Sequence, residues 1–346
     1  MWRILFASVF AWSALTAPAS GADVTGAGAT FPYPLYATWA AAYKAKTGIL
    51  VNYQSIGSGG GIKQIQAKTI DFGATDVPLT ADELDRAGLL QFPMVMGGIV
   101  PVINLRGIPD GALRLDGATL ASIFLRETAK WNDRLLVGLN PDLQLPAGAI
   151  TPIHRADGSG TTFLFTDYLS KVSSGFKDRI GRGAAVEWPA GLGGKGNEGV
   201  AALVQRTNGT IGYVEYTYAK QNKMNIVRLK NRAGEFVLPG AAGFRAAAAA
   251  ADWAAVTNGA TLTDAPGDET WPITGVSFIL LRKIADHPQA VRGAIGFFAW
   301  AYEEGAPIAV SLDYVPVPKS VVKQAKKAWR KIKTPDGQPL WAGPPS

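Results

Sequence analysis

The sequence HRADGSGTT at residues 154–162 runs directly into the apolar FLF of residues 163–165. An arginine, an aspartate, hydroxyl groups and two glycines therefore precede what reads as the first turn of a helix. The first N–H groups of a helix have no internal partner and carry partial positive charge, so such a turn can seat an anion. Arg155 can approach the anion with its planar guanidinium, and Asp157 can hold that guanidinium in place. The segment predicts a site for a tetrahedral oxyanion and leaves open whether the anion is carried or attacked.

Short strand-like segments alternate with helical segments on the N-terminal side of this site. The strand-like segments are 51–54, 71–74 and 98–105, and the helical segments are 62–67 and 81–90. Thr80 and Glu83 form a capping box at the start of the second helix. The alternation predicts an α/β architecture with mainly parallel strands.

Four loops share one chemical character, being rich in glycine and hydroxyl side chains. They are GAGATF at 26–31, GSGGG at 57–61, ATDVP at 74–78 and the segment at 154–162. Ligands of open α/β sheets bind beyond the carboxyl ends of the strands, so these loops predict one site assembled from distant parts of the chain. A fifth loop, GLGGKG at 191–196, fits the dinucleotide pattern, but WPA at 188–190 interrupts the strand that this pattern requires. We interpret the fifth loop as a structural turn or as a loop that supports the site without contacting the ligand.

The N-terminal residues 1–22 have the three parts of a secretory signal peptide. A basic MWR start is followed by an apolar run over residues 4–16 and by the small residues APASGA at 17–22, with cleavage expected after Ala22 or Ala19. The chain has no cysteine, so it needs no disulfide and has no lipid-modifiable thiol at the cut. No later stretch reaches the roughly 18 to 20 apolar residues of a membrane helix. The sequence predicts a protein that is free in the periplasm and not anchored to a membrane.

Length and charge narrow the class of protein further. The 346 residues are 47% hydrophobic, enough for about two domains, and the formal charge is +7, or +6 once Arg3 leaves with the signal peptide. A positive excess suits an anionic ligand. The basic residues cluster in 320–333, which reads as a solvated amphipathic helix, and no nucleic-acid motif accompanies it. We therefore expect no nucleic-acid partner.

The residues needed for catalysis are scarce. A serine hydrolase needs a base, and the only histidines are His154, which flanks the anion loop, and His287, which lies in a polar helical stretch. The acidic residues show no metal-ligand spacing, so we predict no catalytic residue, metal or cofactor. Asp76 has two readings from spacing alone. It is either a turn residue before Val77 and Pro78 or an acceptor for the proton of a protonated anion, which phosphate has and sulfate lacks.

Six segments together resemble the periplasmic phosphate-binding proteins of high-affinity phosphate ABC transporters. They are GAGATFP at 26–32, GSGG at 57–60, DFGATD at 71–76, RADGSGT at 155–161, GLGGKGN at 191–197 and IGYVEY at 211–216. The resemblance covers nearly the whole chain from Val24 onward. It implies a two-lobe α/β fold of the type II periplasmic-binding-protein class, with strands crossing between the lobes near 98–105 and 272–281. Lobe I is expected over 23–102 and 274–346, and lobe II over 103–273.

The resemblance also implies a function and a set of site residues. The protein would bind inorganic phosphate as a monomer, close over it by hinge bending and deliver it to a membrane ABC permease. Ala29, Thr30 and Phe31 would contact the anion mainly through main-chain N–H groups and the Thr30 hydroxyl. The remaining contacts would come from Ser58, Asp76 as proton acceptor, Arg155 fixed by Asp157, and Ser159, Gly160 and Thr161. The alternatives are a phosphate-ester hydrolase of related fold and a receptor for another oxyanion such as sulfate.

Overall fold

The structure is a computed structural model that describes residues 23–341; the predicted signal peptide, residues 1–22, lies outside this range. The strands are β1 (Val24–Gly28), β2 (Val51–Ser55), β3 (Phe72–Thr75), β4 (Leu89–Asn104), β5 (Arg114–Leu115), β6 (Thr151–Arg155), β7 (Leu192–Gly194), β8 (Thr210–Glu215), β9 (Asn225–Ile226), β10 (Arg228–Lys230), β11 (Phe236–Val237), β12 (Thr274–Arg282) and β13 (Val315–Pro316). The helices are α1 (Tyr33–Thr47), α2 (Ser58–Gln66), α3 (Ala81–Ala87), α4 (Gly117–Phe124), α5 (Arg134–Leu139), α6 (Gly160–Val172), α7 (Ser174–Arg179), α8 (Gly196–Arg206), α9 (Tyr216–Gln221), α10 (Ala241–Ala249), α11 (Trp253–Thr257), α12 (Pro288–Glu303), α13 (Ala306–Ser311) and α14 (Lys319–Trp329).

One long sheet runs through the protein in the order β2-β1-β3-β12-β4-β8-β6-β7. The strand β4 belongs to both ends of this sheet. Its residues 89–98 pair with β12, whereas its residues 99–104 pair with β8. The first half-sheet therefore consists of β1, β2, β3, β12 and the start of β4, and the second of the end of β4 with β6, β7 and β8. Each half-sheet is the centre of one lobe, lobe I around the first and lobe II around the second.

The sheet is mixed, so the expectation of mainly parallel strands is wrong. Strands β1, β2 and β3 pair in parallel, as do β6, β7 and β8 through β6. The crossing strands β4 and β12 are antiparallel to each other and to their other neighbours, β8 and β3. A chain that leaves lobe I along β4 and returns along β12 must run in opposite directions on the two passes. The α/β class and the two-lobe architecture are confirmed.

Two predicted segment boundaries also need correction. The helix expected over 81–90 has the predicted capping box but ends at Ala87, because Gly88 adopts a left-handed conformation and residues 89 and 90 already belong to β4. The segment GSGGG at 57–61 is not a loop, since Ser58 begins α2 and Gly57 is its N-cap. This helix starts four residues earlier than the expected 62–67. Only Ile56 and Gly57 therefore separate the end of β2 from the N-terminus of α2.

Aromatic side chains pack at the centre of each lobe. In lobe I the buried rings of Tyr36, Phe72 and Phe298 pack edge to face, and Phe92 extends the same cluster. Lobe II is centred on Phe165 and Tyr213, whose rings stack with centroids 4.0 Å apart. Aromatic pairs of this kind add specific geometry to the hydrophobic burial of their large surfaces. Each lobe is thus a rigid support for the loops at its sheet edge.

Substitution of Gly98, where β4 changes partners, tests how tightly this crossing strand is packed. A Cβ at this position would lie 2.1 Å from Cε1 of Phe244, so Gly98→Ala is expected to destabilise the protein by about 1–3 kcal/mol. Gly138, an exposed glycine in α5 with no atom near its added Cβ, is the matched control, and Gly138→Ala should leave stability unchanged or slightly raised. Chemical denaturation measures both; equal stability of the two variants would contradict the packing assigned to β4.

Candidate anion-binding site

The loops at the carboxyl ends of five strands meet between the lobes. From lobe I come the residues after β1, the start of α2 after β2, and Asp76 after β3. From lobe II come the residues between β6 and α6 and the start of α8 after β7. The lobes touch directly at this point, where the Gly59 N–H donates to the Gly158 carbonyl oxygen at 2.9 Å. The structure therefore represents a closed arrangement, with helix N-termini from both lobes at one place.

The loop after β1 offers fewer main-chain donors than the sequence suggested. The Ala29 N–H donates to the Ala74 carbonyl at 2.9 Å, and the Ala29 carbonyl accepts from the Tyr53 hydroxyl, so Ala29 has no N–H left for an anion. The hydrogen bond to Ala74 in β3 uses this N–H group. The N–H groups of Thr30 and Phe31 form no hydrogen bond to other residues within 23–341. Both side chains are buried, and these two N–H groups are the donors that this loop presents.

Ser58 and Asp76 face each other within lobe I. The Asp76 N–H donates to Ser58 Oγ at 3.1 Å, and Ser58 Oγ lies 3.5 Å from Asp76 Oδ2. Both residues are fully buried, and Asp76 Oδ1 has no hydrogen-bond partner in the described part of the chain. Burial raises the pKa of Asp76 to about 7, against the opposing effects of Ser277, Arg155 and Ser58. Asp76 can therefore hold or release a proton near neutral pH.

Arg155 and Asp157 form a two-point ion pair at the end of β6. Arg155 Nε donates to Asp157 Oδ1 at 2.8 Å, and Nη2 donates to Asp157 Oδ2 at 2.5 Å. Burial acts to raise the pKa of Asp157, but the hydrogen bonds and charge of Arg155 lower it overall. Arg155 Nη1 is buried and has no partner among residues 23–341. The pair fixes the guanidinium so that this one amino group is left to bind something else.

The start of α6 closes the site from lobe II. Ser159 is the N-cap of this helix, and its Oγ accepts from the Thr162 N–H at 2.9 Å, which leaves its hydroxyl proton free to donate. Gly160 allows the closest approach of the lobes, because a Cβ there would lie 2.4 Å from Asp76 Oδ2 and 2.5 Å from Ser58 Oγ. Thr161 follows, fully buried. The structure thus brings Ser58, Asp76, Gly160 and the Arg155 pair into one small region.

Asn197 belongs to the same region and was missed as a site residue. It lies in the first turn of α8, directly after the GLGGKG segment that we interpreted as a structural turn. Its side-chain amide donates to the hydroxyls of Thr30, at 2.7 Å, and Thr161, at 3.2 Å. Sequence distance hid these contacts, since Thr30 and Asn197 are 167 residues apart. The only available signal was a polar side chain at a glycine-rich helix start.

Glu215 is a second buried carboxyl, placed where β8 meets the crossing strand β4. Its Oε2 accepts from the Tyr314 hydroxyl at 3.0 Å and from the Thr217 N–H at 2.9 Å. Tyr314 also lies 2.7 Å from the Phe31 carbonyl, which connects the acid to the loop after β1. Burial raises the pKa of Glu215 to about 8. The protonated form predominates at neutral pH.

Histidine bases and metal clusters are the usual partners of a hydroxyl that attacks an anion. His154 points away from the site, with its ring stacked on Trp188 at 5.5 Å between centroids. Within residues 23–341, no group of three histidine or acidic side chains is arranged to hold a metal ion. In the same stretch of chain, none of the helices combines the length and the apolar character needed to cross a bilayer. What remains is a closed cleft with donors on both walls.

Two α/β lobes joined by crossing strands, with helix N-termini from both lobes at the cleft between them, are the architecture of the periplasmic-binding-protein class. A sequence profile described as a PBP superfamily domain matches residues 14–304. A phosphate-binding protein PstS from Pasteurella multocida is 52% identical over 340 residues, covering 98% of each chain. Another PstS, from Haemophilus influenzae, is 53% identical over 309 residues, or 89% of this chain and 92% of that protein. The chain belongs to the PstS family of phosphate-binding proteins.

Solved structures agree on the fold at lower sequence identity. The phosphate-binding protein from Stenotrophomonas maltophilia has a TM-score of 0.66 with 18% identity, covering 89% of this chain and 94% of that one. The periplasmic phosphate-binding protein PfluDING, determined with phosphate bound, has a TM-score of 0.67 with 21% identity, covering 88% and 93%. At these identities the likeness concerns the architecture alone.

The buried Glu215 predicts a specific dependence of stability on pH. Its carboxyl ionises near the usual 4.5 when unfolded but near 8 when folded, so the folded state keeps a proton that the unfolded state has lost. The free energy of unfolding should therefore fall as pH rises from 4.5 to 8, at up to about 1.4 kcal/mol per pH unit. Glu215→Gln, which copies the neutral form, should lack this loss and exceed the wild type in stability at pH 8.

Urea titrations from pH 5 to 9 measure the difference between the two proteins. Glu187→Gln, at an exposed position, is the control for removing one carboxyl elsewhere on lobe II. Parallel pH profiles for the wild type and Glu215→Gln would contradict the protonated state assigned to Glu215.

Proposed function

We propose that this protein is a periplasmic receptor that binds inorganic phosphate between its lobes and delivers it to a phosphate-importing ABC transporter. The phosphate-binding names of relatives that are more than half identical support this function. The site supports it independently through two atoms. Arg155 Nη1 and Asp76 Oδ1 are both buried, and neither has a hydrogen-bond partner within residues 23–341. A buried donor with positive charge and a buried acceptor together suit a ligand that is an anion and also carries a proton.

The donors around these two atoms match the oxygens of phosphate. We propose main-chain N–H groups from Thr30, Phe31 and Gly160, hydroxyls from the four serine and threonine residues, and the Arg155 guanidinium; the hydroxyl residues are Thr30, Ser58, Ser159 and Thr161. Helix N-termini and neutral donors can hold a dehydrated anion without a surplus of positive side chains. Asp76 would accept the hydrogen bond of the protonated oxygen. Ala29 contributes only to shaping the loop, because its N–H is engaged with β3.

Asp76 separates phosphate from sulfate by its protonation state. Hydrogen phosphate brings its own proton to the carboxylate, whereas sulfate has none near neutral pH and would repel the ionised acid. Sulfate can enter only when Asp76 is itself protonated. A carboxyl whose pKa is near 7 therefore makes the selectivity of the site depend on pH.

We also propose how the two lobes act in the transport cycle. We propose lobe I over 23–102 and 274–346 and lobe II over 103–273, which sets the boundary four residues beyond Gly98, the last residue of β4 that pairs with β12. Closure over phosphate would bend the crossing strands and create the shape that the membrane permease recognises. The protein would act as a monomer that is free in the periplasm after removal of residues 1–22. It would perform no chemistry on phosphate.

Two substitutions test the assignment of the charged residues. Arg155→Ala removes the cation and leaves Asp157 without its partner, so phosphate affinity should fall by at least about 100-fold, equivalent to some 3 kcal/mol. Asp76→Asn replaces the acceptor by an amide that can donate, and should weaken phosphate binding by about 10-fold or more while improving sulfate binding. Titration calorimetry with both anions gives the constants, and Arg106→Ala, at an exposed position, is the matched control.

The same measurements decide between the alternatives. Tight sulfate binding by the wild type at pH 8, or unchanged phosphate affinity in both variants, would refute a phosphate receptor with this site. Turnover of a phosphomonoester would instead indicate a hydrolase.

The pH dependence of sulfate binding provides a further prediction. Because sulfate requires protonated Asp76, its affinity should fall about tenfold for each pH unit above the pKa of that carboxyl. Phosphate affinity should change far less between pH 7 and 9, since the ligand supplies the proton. Competition of sulfate against a fixed phosphate concentration measures the ratio, and a ratio independent of pH would contradict the role of Asp76.

A further inference from the structure

Asn197 makes an unusually complete set of hydrogen bonds for a buried side chain at the cleft. Its Oδ1 accepts from the Glu215 N–H at 2.9 Å, and its Nδ2 donates to Thr30 Oγ1 at 2.7 Å and to Thr161 Oγ1 at 3.2 Å. The residue is fully buried. Because a main-chain N–H can only donate, the Glu215 contact fixes which end of the amide is oxygen. The two amide protons must therefore face the two threonines.

These contacts dictate what the threonine hydroxyls can still do. A hydroxyl oxygen accepts through two lone pairs and donates one proton. Thr30 Oγ1 accepts from Nδ2 and, at 3.3 Å, from the main-chain N–H of Asn197, so both of its lone pairs are engaged. The only hydrogen bond left to the Thr30 hydroxyl is one that it donates. Thr161 has one lone pair engaged in the same way.

We propose that Asn197 is a positioning residue that fixes the hydroxyls of Thr30 and Thr161 as donors to the bound anion. This role rests on the proposed function. Asn197 would set the direction of the hydrogen bonds that the two hydroxyls form, without contacting the anion itself. Thr30 belongs to lobe I, and Asn197 and Thr161 belong to lobe II. Asn197 therefore contacts the Thr161 hydroxyl within lobe II and reaches the Thr30 hydroxyl only when the lobes close. An unfixed hydroxyl could turn a lone pair toward the anion, which would oppose binding.

The test measures Asn197→Ala in two backgrounds by titration calorimetry with inorganic phosphate. Asn197→Ala frees both hydroxyls and should weaken phosphate binding by about 10-fold. In the background Thr30→Val/Thr161→Val the same substitution should weaken it less than 2-fold, because the groups through which Asn197 acts are gone. Asn258→Ala, an exposed asparagine at the end of α11, is the control and should match the wild type.

A carboxylate in place of the amide provides a second readout through pH. Asn197→Asp keeps the size of the side chain but makes it an acceptor, which would draw both hydroxyl protons away from the anion. Relative to the wild type, its phosphate affinity should be at least 100-fold lower at pH 8, and this deficit should shrink as the pH falls through the pKa of the introduced carboxyl, because the protonated carboxyl can again donate to one of the two hydroxyls. Melting temperatures of all variants, measured without phosphate, record any loss of folding separately.

The possible outcomes separate this inference from the proposed function. If the wild type does not bind phosphate, the proposed function fails. If the wild type binds phosphate but Asn197→Ala lowers the affinity by the same factor in both backgrounds, Asn197 acts on the fold and the positioning role is refuted. A deficit in Asn197→Asp that does not change with pH refutes it as well. The positioning role is supported if Asn197→Ala weakens phosphate binding only in the protein that keeps Thr30 and Thr161, and if the affinity of Asn197→Asp recovers at low pH.

Discussion

A small anion that is taken out of water must receive a new hydrogen bond for each one it loses, and the closed cleft is built around this requirement. No single lobe offers enough donors, because each supplies only the loops at the carboxyl ends of its own strands. The shared strand β4 solves the problem by carrying the chain from one half-sheet to the other. Both sets of loops then open toward the same space. Asp157 compensates the charge of Arg155 and leaves one guanidinium amino group without a partner among residues 23–341.

Much of this organisation could be predicted from residues near one another in sequence. The glycine- and hydroxyl-rich segments mark strand ends because tight turns and close approach require those residue types. The Thr80–Glu83 box marks a helix start through local hydrogen bonds that are present in the structure. The resemblance to phosphate-binding proteins added the lobes and the crossing strands, which no local pattern contains. Local patterns therefore located the loops, and the family relation showed how they combine.

The errors arose where tertiary contacts outweigh local preference. A run of glycines reads as a loop, yet Ser58 to Gly61 form the first turn of α2. A Cβ on Gly61 would lie 2.5 Å from the Gly28 Cα of the neighbouring strand. Glycine is needed there for close packing of α2 on β1 and not for flexibility. The Ala29 N–H was expected at the anion but is consumed by Ala74. Asn197 was overlooked because its partners come from both lobes and become neighbours only after folding.

The glycines at the interface of the lobes set the distance at which closure stops. Gly160 lies against Asp76 and Ser58 of lobe I, and Gly57 lies against Asp157 of lobe II, with no room for a methyl group at either position. The hydrogen bonds that cross between the lobes depend on this missing volume. A single added carbon at either position would meet these side chains before the lobes reach the closed arrangement. The resting gap of the receptor, and with it the energy needed to shut it, is thus adjustable by the smallest possible change in the chain.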